Sequence, residues 1–321
     1  MQDKWGRTIE YVRVSLTDAC NFCCPYCRPE EITPESVKNL LTVDEWMTIL
    51  EAYHNLGVKA VRLTGGEPLL YPYLEELLGR IKETGWFQDI SMTSNGSLLA
   101  SRIDRLHDLG LDRVNISLDS LDESVFDQCV GKTHQMDAVL AGIQAATQAG
   151  LKAVKINTVL SRPWSDEEVQ QLLSHIQEWP VTWRFIEYMP FQGEAFRGPT
   201  FEEWMAQLER VSGGPLEAVD KTIGFGPASY YRLSNGAVIG CIFSMSNSYC
   251  DSSNRVRLTS DGQMRLCLLR DQEMDLISLV RQGATVAQLE EAIAEAVGLK
   301  QEQHDGLDMA TPERPMWRIG G

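Results

Sequence analysis

Between Tyr11 and Glu187 the sequence alternates short apolar runs with longer amphipathic stretches, and this rhythm constrains the fold more than any other feature. Tyr11 to Ser15, Val58 to Thr64, Asp89 to Thr93, Arg113 to Leu118, Ala153 to Val159 and Thr182 to Glu187 read as strands. Helices are predicted between them: Leu41 to Leu56, Tyr73 to Thr84, Leu98 to Leu109, Asp122 to Cys129, Met136 to Ala149 and Ser165 to Trp179. Thr42 and Glu45 form a capping box at the start of the first. Strand–helix repetition of this kind predicts a parallel sheet with helices outside it. Six units fall two short of a closed eight-stranded barrel. The predicted fold is α/β: a partial (β/α)6 TIM-type barrel over residues 1–190. An α+β extension, residues 191–321, closes the barrel opening.

In that extension we read a helix near Phe201 to Val211 and a hairpin from Tyr230 to Ile242, turning at Asn235-Gly236. A second hairpin runs from Arg255 to Cys267 around Asp261-Gly262, with helices near Asp275 to Arg281 and Val286 to Val297 after it. The barrel strands end on polar residues: Ser15, Thr64, Thr93, Ser117, Asn157 and Glu187. In parallel α/β folds such ends collect on one face, and chemistry gathers there.

The loop after the first strand reads Cys20-Asn-Phe-Cys-Cys-Pro-Tyr-Cys27. Cys20, Cys24 and Cys27 are spaced C-x3-C-x2-C, with Cys23 extra. Thiolates are soft ligands that suit iron–sulfur clusters or zinc. Three thiolates on a four-iron cluster leave one iron open for a substrate or cofactor. A structural zinc-binding module, the bland alternative, needs a fourth protein ligand, and the next histidine is His54. The eight cysteines group towards the two ends of the chain's main body, which suits metal sites better than a disulfide framework. Net charge is −16, which argues against nucleic-acid or acidic-membrane binding by the surface as a whole. Without an apolar signal core or a spanning stretch, a cytoplasmic location is expected.

Gly65-Gly66-Glu67-Pro68 follows the second strand directly and, taken alone, reads as a turn. One βα unit after the cysteine loop, it resembles the motif of the radical S-adenosylmethionine (SAM) enzymes. That resemblance implies a 4Fe–4S cluster on Cys20, Cys24 and Cys27, with SAM chelated at the open iron and split to a 5′-deoxyadenosyl radical. It also implies SAM contacts from Tyr26, Gly66, Glu67, Ser117 and Met189.

Further motifs narrow the resemblance: Arg13-x-Ser-x-Thr-Asp-x-Cys-Asn, Arg62-Leu-Thr-Gly-Gly-Glu-Pro, Asn115 to Asp122, Lys155 to Val159, Arg184-Phe-Ile-Glu187, Asn254 to Thr259 and the terminal Ile319-Gly320-Gly321. In that order they are similar, nearly end to end, to the GTP 3′,8-cyclase family of molybdenum cofactor biosynthesis. The cations Arg13, Arg62, Lys155, Arg184, Arg255 and Arg257, in an acidic chain, suit a cavity for a triphosphate. From the family, Arg13, Arg62, Thr93, Lys155, Arg255 and Arg257 are expected to bind GTP; Arg184 either joins them or holds the framework. The Gly320-Gly321 tail is expected to enter the active site. The resemblance further implies a reduced flavodoxin- or ferredoxin-type electron donor, cyclic pyranopterin monophosphate synthase as pathway partner, and room for a homodimer.

The sequence departs from the family at a second 4Fe–4S site. There C-x2-C-x13-C becomes Cys250, Ser253 and Cys267. Ser253 ligates, Cys241 swings in as third ligand, or the second cluster is absent; without it another radical SAM activity, on a peptide or small molecule, is the alternative. Tyr71 replaces a residue that is commonly basic in the family.

Overall fold

The computed structural model describes residues 1–28, 32–33, 39–190, 198–220, 224–303 and 314–320. The six expected strands form: β1 (Tyr11–Ser15), β2 (Ala60–Thr64), β3 (Asp89–Ser94), β4 (Arg113–Ser117), β5 (Ala153–Leu160) and β6 (Thr182–Glu187). They pair in sequence order, all parallel. The helices between them are α1 (Val43–Asn55), α2 (Leu74–Thr84), α3 (Ile103–Asp108), α4 (Glu123–Val130), α5 (Met136–Gln148) and α6 (Asp166–Glu178). The capping box is present on α1, Thr42 N–H donating to Glu45 and Glu45 N–H to Thr42. α3 is shorter than its periodicity predicts. From Gly96 to Arg102 the chain makes three-residue turns instead, with Leu99 N–H on Gly96 O and Arg102 N–H on Leu99 O.

Beyond β6 come α7 (Phe201–Ser212), β7 (Glu217–Val219), β8 (Ser229–Arg232), β9 (Val238–Ile242), β10 (Arg255–Leu258), β11 (Gln263–Arg265), β12 (Glu273–Asp275), α8 (Leu276–Arg281) and α9 (Val286–Gly298). Both expected hairpins are there, β8–β9 and β10–β11. β10 pairs parallel with β1, and β9 pairs parallel with β6. The extension therefore lengthens the partial barrel at both free edges, raising the parallel set to eight strands, with an antiparallel pair beyond each end. α8 and α9 pack on α1, and α7 packs on α6. β7 and β12 are three-residue edge strands, too short for a period-2 signal.

Candidate active site

A parallel strand covered on both faces ordinarily reads as a continuous apolar run. These strands alternate instead. Val12, Val14, Val61, Leu63, Ile90, Met92, Val114, Ile116, Val154 and Ile156 join the hydrophobic core. Apart from Ala60 and Ala153 at the strand starts, their chain neighbours on the opposite face are polar or charged. The register lines these up: Arg257 beside Arg13, Arg13 beside Arg62, Arg62 beside Ser91, and Ser91 beside Arg113. Above them, Thr93 lies beside Asn115, Asn115 beside Lys155, and Asn157 beside Arg184. Side chains of paired residues share a sheet face. The register thus brings Arg13, Arg62, Thr93, Lys155 and Arg257 together on the inner face, with Arg255 two positions from Arg257 on the same side.

Burial penalises these charges. It is the largest cause of the fall of the Arg13 guanidinium to about 10, and neighbouring Arg62 and Arg255 add to it. Lys155 falls to about 5, again mainly by desolvation and then through Arg184, Arg113 and Arg62. Arg62 and Arg257 are lowered for the same leading reason. Arg62 lies 5.2 Å over the Tyr11 ring, and Arg255 5.2 Å over the Tyr249 ring. Tyr11 Oη, Ser15 Oγ and Arg255 Nε are buried with no hydrogen-bond partner among the described residues. Such orphaned groups are costly to bury and are satisfied by a polar ligand. Excess positive potential makes that ligand an anion.

Two cations have other employment. Arg113 forms a buried ion pair with Asp89. Arg184 donates from Nε to Asn157 Oδ1 at 3.0 Å and from Nη2 to Asn115 Oδ1 at 2.8 Å, tying β4, β5 and β6 together. Its side-chain stem fits because residue 240 is glycine, where a Cβ would come 2.7 Å from Arg184 Cγ. Of the two readings of Arg184, the framework role carries these bonds. Tyr71 sits in the core and its hydroxyl donates to Leu41 O.

Gly320 reaches this interior. Its carbonyl accepts from Arg13 Nη2 at 2.8 Å and Thr64 Oγ1 at 3.3 Å, and Ile319 O accepts from Arg257 Nη1 at 3.3 Å. Gly320 has φ of 81°, a left-handed conformation that glycine adopts without strain. Gly321 lies outside the described residues.

The cysteine loop is held by backbone bonds at several points. Cys20 N–H donates to Ile32 O, Cys23 N–H to Val130 O at the end of α4, and Cys27 N–H to Cys24 O. The glycine turn after β2 clasps its base: Gly66 N–H donates to Thr17 O and Glu67 N–H to Ala19 O, both at 2.7 Å. A Cβ on Gly66 would lie 2.3 Å from Ala19 O, so only glycine permits this approach. Glu67 is fully buried. Its carboxylate accepts from Leu69 N–H, Ser94 Oγ–H and Asn95 N–H, which fastens the turn to the end of β3. Burial lifts its pKa to about 7.

Tyr26, between Cys24 and Cys27, donates its hydroxyl to Asp119 Oδ2 at 2.8 Å, while Asp119 Oδ1 accepts from Val159 N–H. Sequence reasoning missed Asp119, although it stands in the Asn115 to Asp122 motif. It also missed Arg28, a buried cation close enough to lower the Cys20 and Cys27 thiols. Desolvation outweighs that effect, raising Cys20 to about 11 and Cys27 to about 12. Cys24 is raised too, by burial first and then by Cys27, Asp119 and Cys20. Buried thiols that raise one another in this way are stabilised as thiolates by bound iron, and so fit a cluster. Among the described residues no three His, Cys, Asp or Glu side chains gather tightly enough for a single metal ion. A cube holds its thiolates on separate corners and does not ask for that. Ser117 ends β4 half-buried, paired with Asn157.

The second set also comes together. Cys250, Ser253 and Cys267 line a cavity of about 70 Å³, shared with Met189, Arg255, Arg257 and Lys300. Met189, expected beside SAM, thus borders the second site, where its sulfur accepts from Ser244 Oγ at 3.1 Å. Cys241 lines a different cavity, with Phe201, Ser229, Phe243 and Tyr249. Behind the second site Arg7, ion-paired with Asp3, donates to the carbonyls of Cys250, Gln301 and Glu302.

Residues 14–176 match the Radical SAM superfamily model, and residues 181–306 match Molybdenum Cofactor Synthesis C. The GTP 3′,8-cyclase of Pelotomaculum thermopropionicum is 38% identical over 326 residues, covering 100% of both chains. That of Nostoc sp. is 40% identical, over 98% of this chain and 99% of the relative. The chain belongs to the GTP 3′,8-cyclase family of radical SAM proteins. Among solved structures, Streptococcus suis SuiB bound to S-adenosylmethionine superposes with a TM-score of 0.63 at 14% identity. The match covers 85% of this chain and 64% of that one, and it speaks for the radical SAM fold. Family membership supports SAM and a 4Fe–4S cluster as cofactors, and the three-thiol loop has the donors to hold them. No helix among the described residues is long and apolar enough to cross a membrane.

Proposed function

We propose that the chain is a GTP 3′,8-cyclase, converting GTP to (8S)-3′,8-cyclo-7,8-dihydroguanosine 5′-triphosphate in the first step of molybdenum cofactor biosynthesis. A bound cluster and SAM would supply a 5′-deoxyadenosyl radical to take the C3′ hydrogen of GTP; C3′ would then bond to C8 of guanine, and one electron from the external donor with one proton would complete the 7,8-dihydro product. Cys20, Cys24 and Cys27 are the cluster ligands. Tyr26, the Gly66–Glu67 turn and Ser117 border SAM, and Met189 stands between SAM and the second site. Tyr26 is oriented by Asp119, and Glu67 acts by fixing its turn. Arg13, Arg62, Lys155, Arg255 and Arg257 hold the triphosphate, with Thr93 adding a hydroxyl. The Gly320-Gly321 tail completes the pocket. These groups keep the ribose still and exclude water. Residues 1–190 carry the radical chemistry, and residues 191–321 add the remaining substrate contacts and the auxiliary site. The same reading gives a cytoplasmic setting, a reduced flavodoxin- or ferredoxin-type donor, cyclic pyranopterin monophosphate synthase as the next enzyme, and a homodimer as its assembly.

The observation that carries this reading is the register-matched row Arg257–Arg13–Arg62, with Lys155 nearby, on the inner face of a parallel sheet. The test is anaerobic turnover with SAM, a reductant and GTP deuterated at C3′. Deuterium in 5′-deoxyadenosine together with a cyclised nucleotide is the expected result. 5′-Deoxyadenosine without label and without nucleotide product rejects GTP as the substrate.

A further inference from the structure

We propose that Ser253, through Oγ, is the third protein ligand of an auxiliary iron–sulfur centre whose thiolates come from Cys250 and Cys267, with Lys300 as the cation beside it. The proposal rests on the family reading but concerns a ligand in which this chain departs from it. Ser253 N–H donates to Cys250 O at 3.1 Å, closing a tight turn over Cys250–Ser252, so the two side chains flank one short bend. Both line the cavity that Cys267 enters from beyond β11, and both also line an adjoining pocket bounded by Arg7 and Gln301. Ser253 Oγ makes no hydrogen bond to another described residue, so ligation would displace none.

Cys241 is excluded by its place in the sheet. It is the penultimate residue of β9, paired with Phe185 on one side and Ser229 on the other, and is 3% exposed. Reaching the other cavity would require β9 to leave β6 and β8.

The chemistry balances without a redox partner. The Ser253 hydroxyl loses its proton to solvent as an Fe–O bond forms, and no electron moves. Two thiolates and one alkoxide carry the same charge as three thiolates. Lys300 is 5% exposed, and its ammonium donates to Leu266 O and Arg255 O, leaving one N–H of three for the cavity. A buried cation there offsets the anionic ligand set. Oxygen is a harder donor than sulfur and favours ferric iron, so this centre has a lower reduction potential than an all-thiolate one.

The test uses the full chain, reconstituted anaerobically, with iron and sulfide counting, electron paramagnetic resonance of the reduced protein, and redox titration. Wild type is expected to hold about eight irons, and Ser253→Ala about four. Ser253→Cys keeps about eight with the auxiliary potential shifted positive, and Cys241→Ser keeps about eight with an unchanged spectrum. The proposal is overturned if wild type holds only about four, if Ser253→Ala keeps the auxiliary signal, or if Cys241→Ser loses it. GTP conversion is not read in these arms. Wild type with both centres and no action on GTP would reject the proposed function and leave this ligand set standing.

Discussion

The two cysteine sites are built by opposite strategies. The first draws all three thiols from one loop, and that loop is clamped by nearby structure: the glycine turn after β2, the end of α4, and the buried Glu67 and Asp119. The second joins two segments, Cys250 to Ser253 and Cys267, and is backed from the other end of the chain, with Arg7 reaching across to Cys250 and to residues 301–302. A locally specified site announces itself as a motif and has little freedom to vary. A site assembled at long range has more places where substitution can be absorbed, and the serine at 253 is such a place. Between the two lies the cation row, fed from both: Arg13, Arg62 and Lys155 from the barrel, Arg255 and Arg257 from the extension.

Four measurements test this contrast. The largest effect is expected for Cys24→Ala, which should remove 5′-deoxyadenosine formation entirely while the auxiliary signal survives. If both signals vanish together, the two sites are not independent. Gly66→Ala comes next. Its Cβ meets backbone at 2.3 Å, and about 2–3 kcal/mol of stability should be lost in thermal unfolding. A melting temperature equal to wild type would show that the clasp is not rigid.

Third, Arg257→Ala and Arg13→Ala should each weaken equilibrium binding of GTP by about 10–100-fold, since a charged hydrogen bond contributes about 1.5–3 kcal/mol. A large loss in one and none in the other would mean that only one region holds the anion. The smallest effect concerns protons. Lys155 has its pKa depressed to about 5, so before an anion binds it is neutral near pH 7. A triphosphate raises that pKa and protonates the amine. Binding therefore takes up protons, and affinity falls as pH rises through neutrality. Calorimetry in buffers of different ionisation enthalpy should show uptake near one proton, and Lys155→Met should abolish it.

Much of this was legible in the sequence. Six strands, both hairpins and the α1 capping box depend on local patterning, and they formed as read. The strand cations Arg13, Arg62, Lys155, Arg255 and Arg257 already pointed to a cavity for a triphosphate. What could not be read depends on contacts distant in sequence. Arg184 stood open between phosphate ligand and framework until its bonds to Asn115 and Asn157 placed it in the framework. Gly65 and Gly66 read in the sequence only as a turn; their close approach to Thr17 and Ala19 shows in the fold. Asp119 carries no signal of its own, because its meaning comes from Tyr26, 93 positions away.

The bonds of Arg7 also impose an order on assembly. A ribosome delivers Arg7 early and its acceptor Glu302 295 positions later. By the time Gly131 has emerged, the cysteine loop has the glycine turn and the end of α4 that hold it. The clamps of the first site are thus complete on a nascent chain, whereas those of the second wait until synthesis is nearly finished.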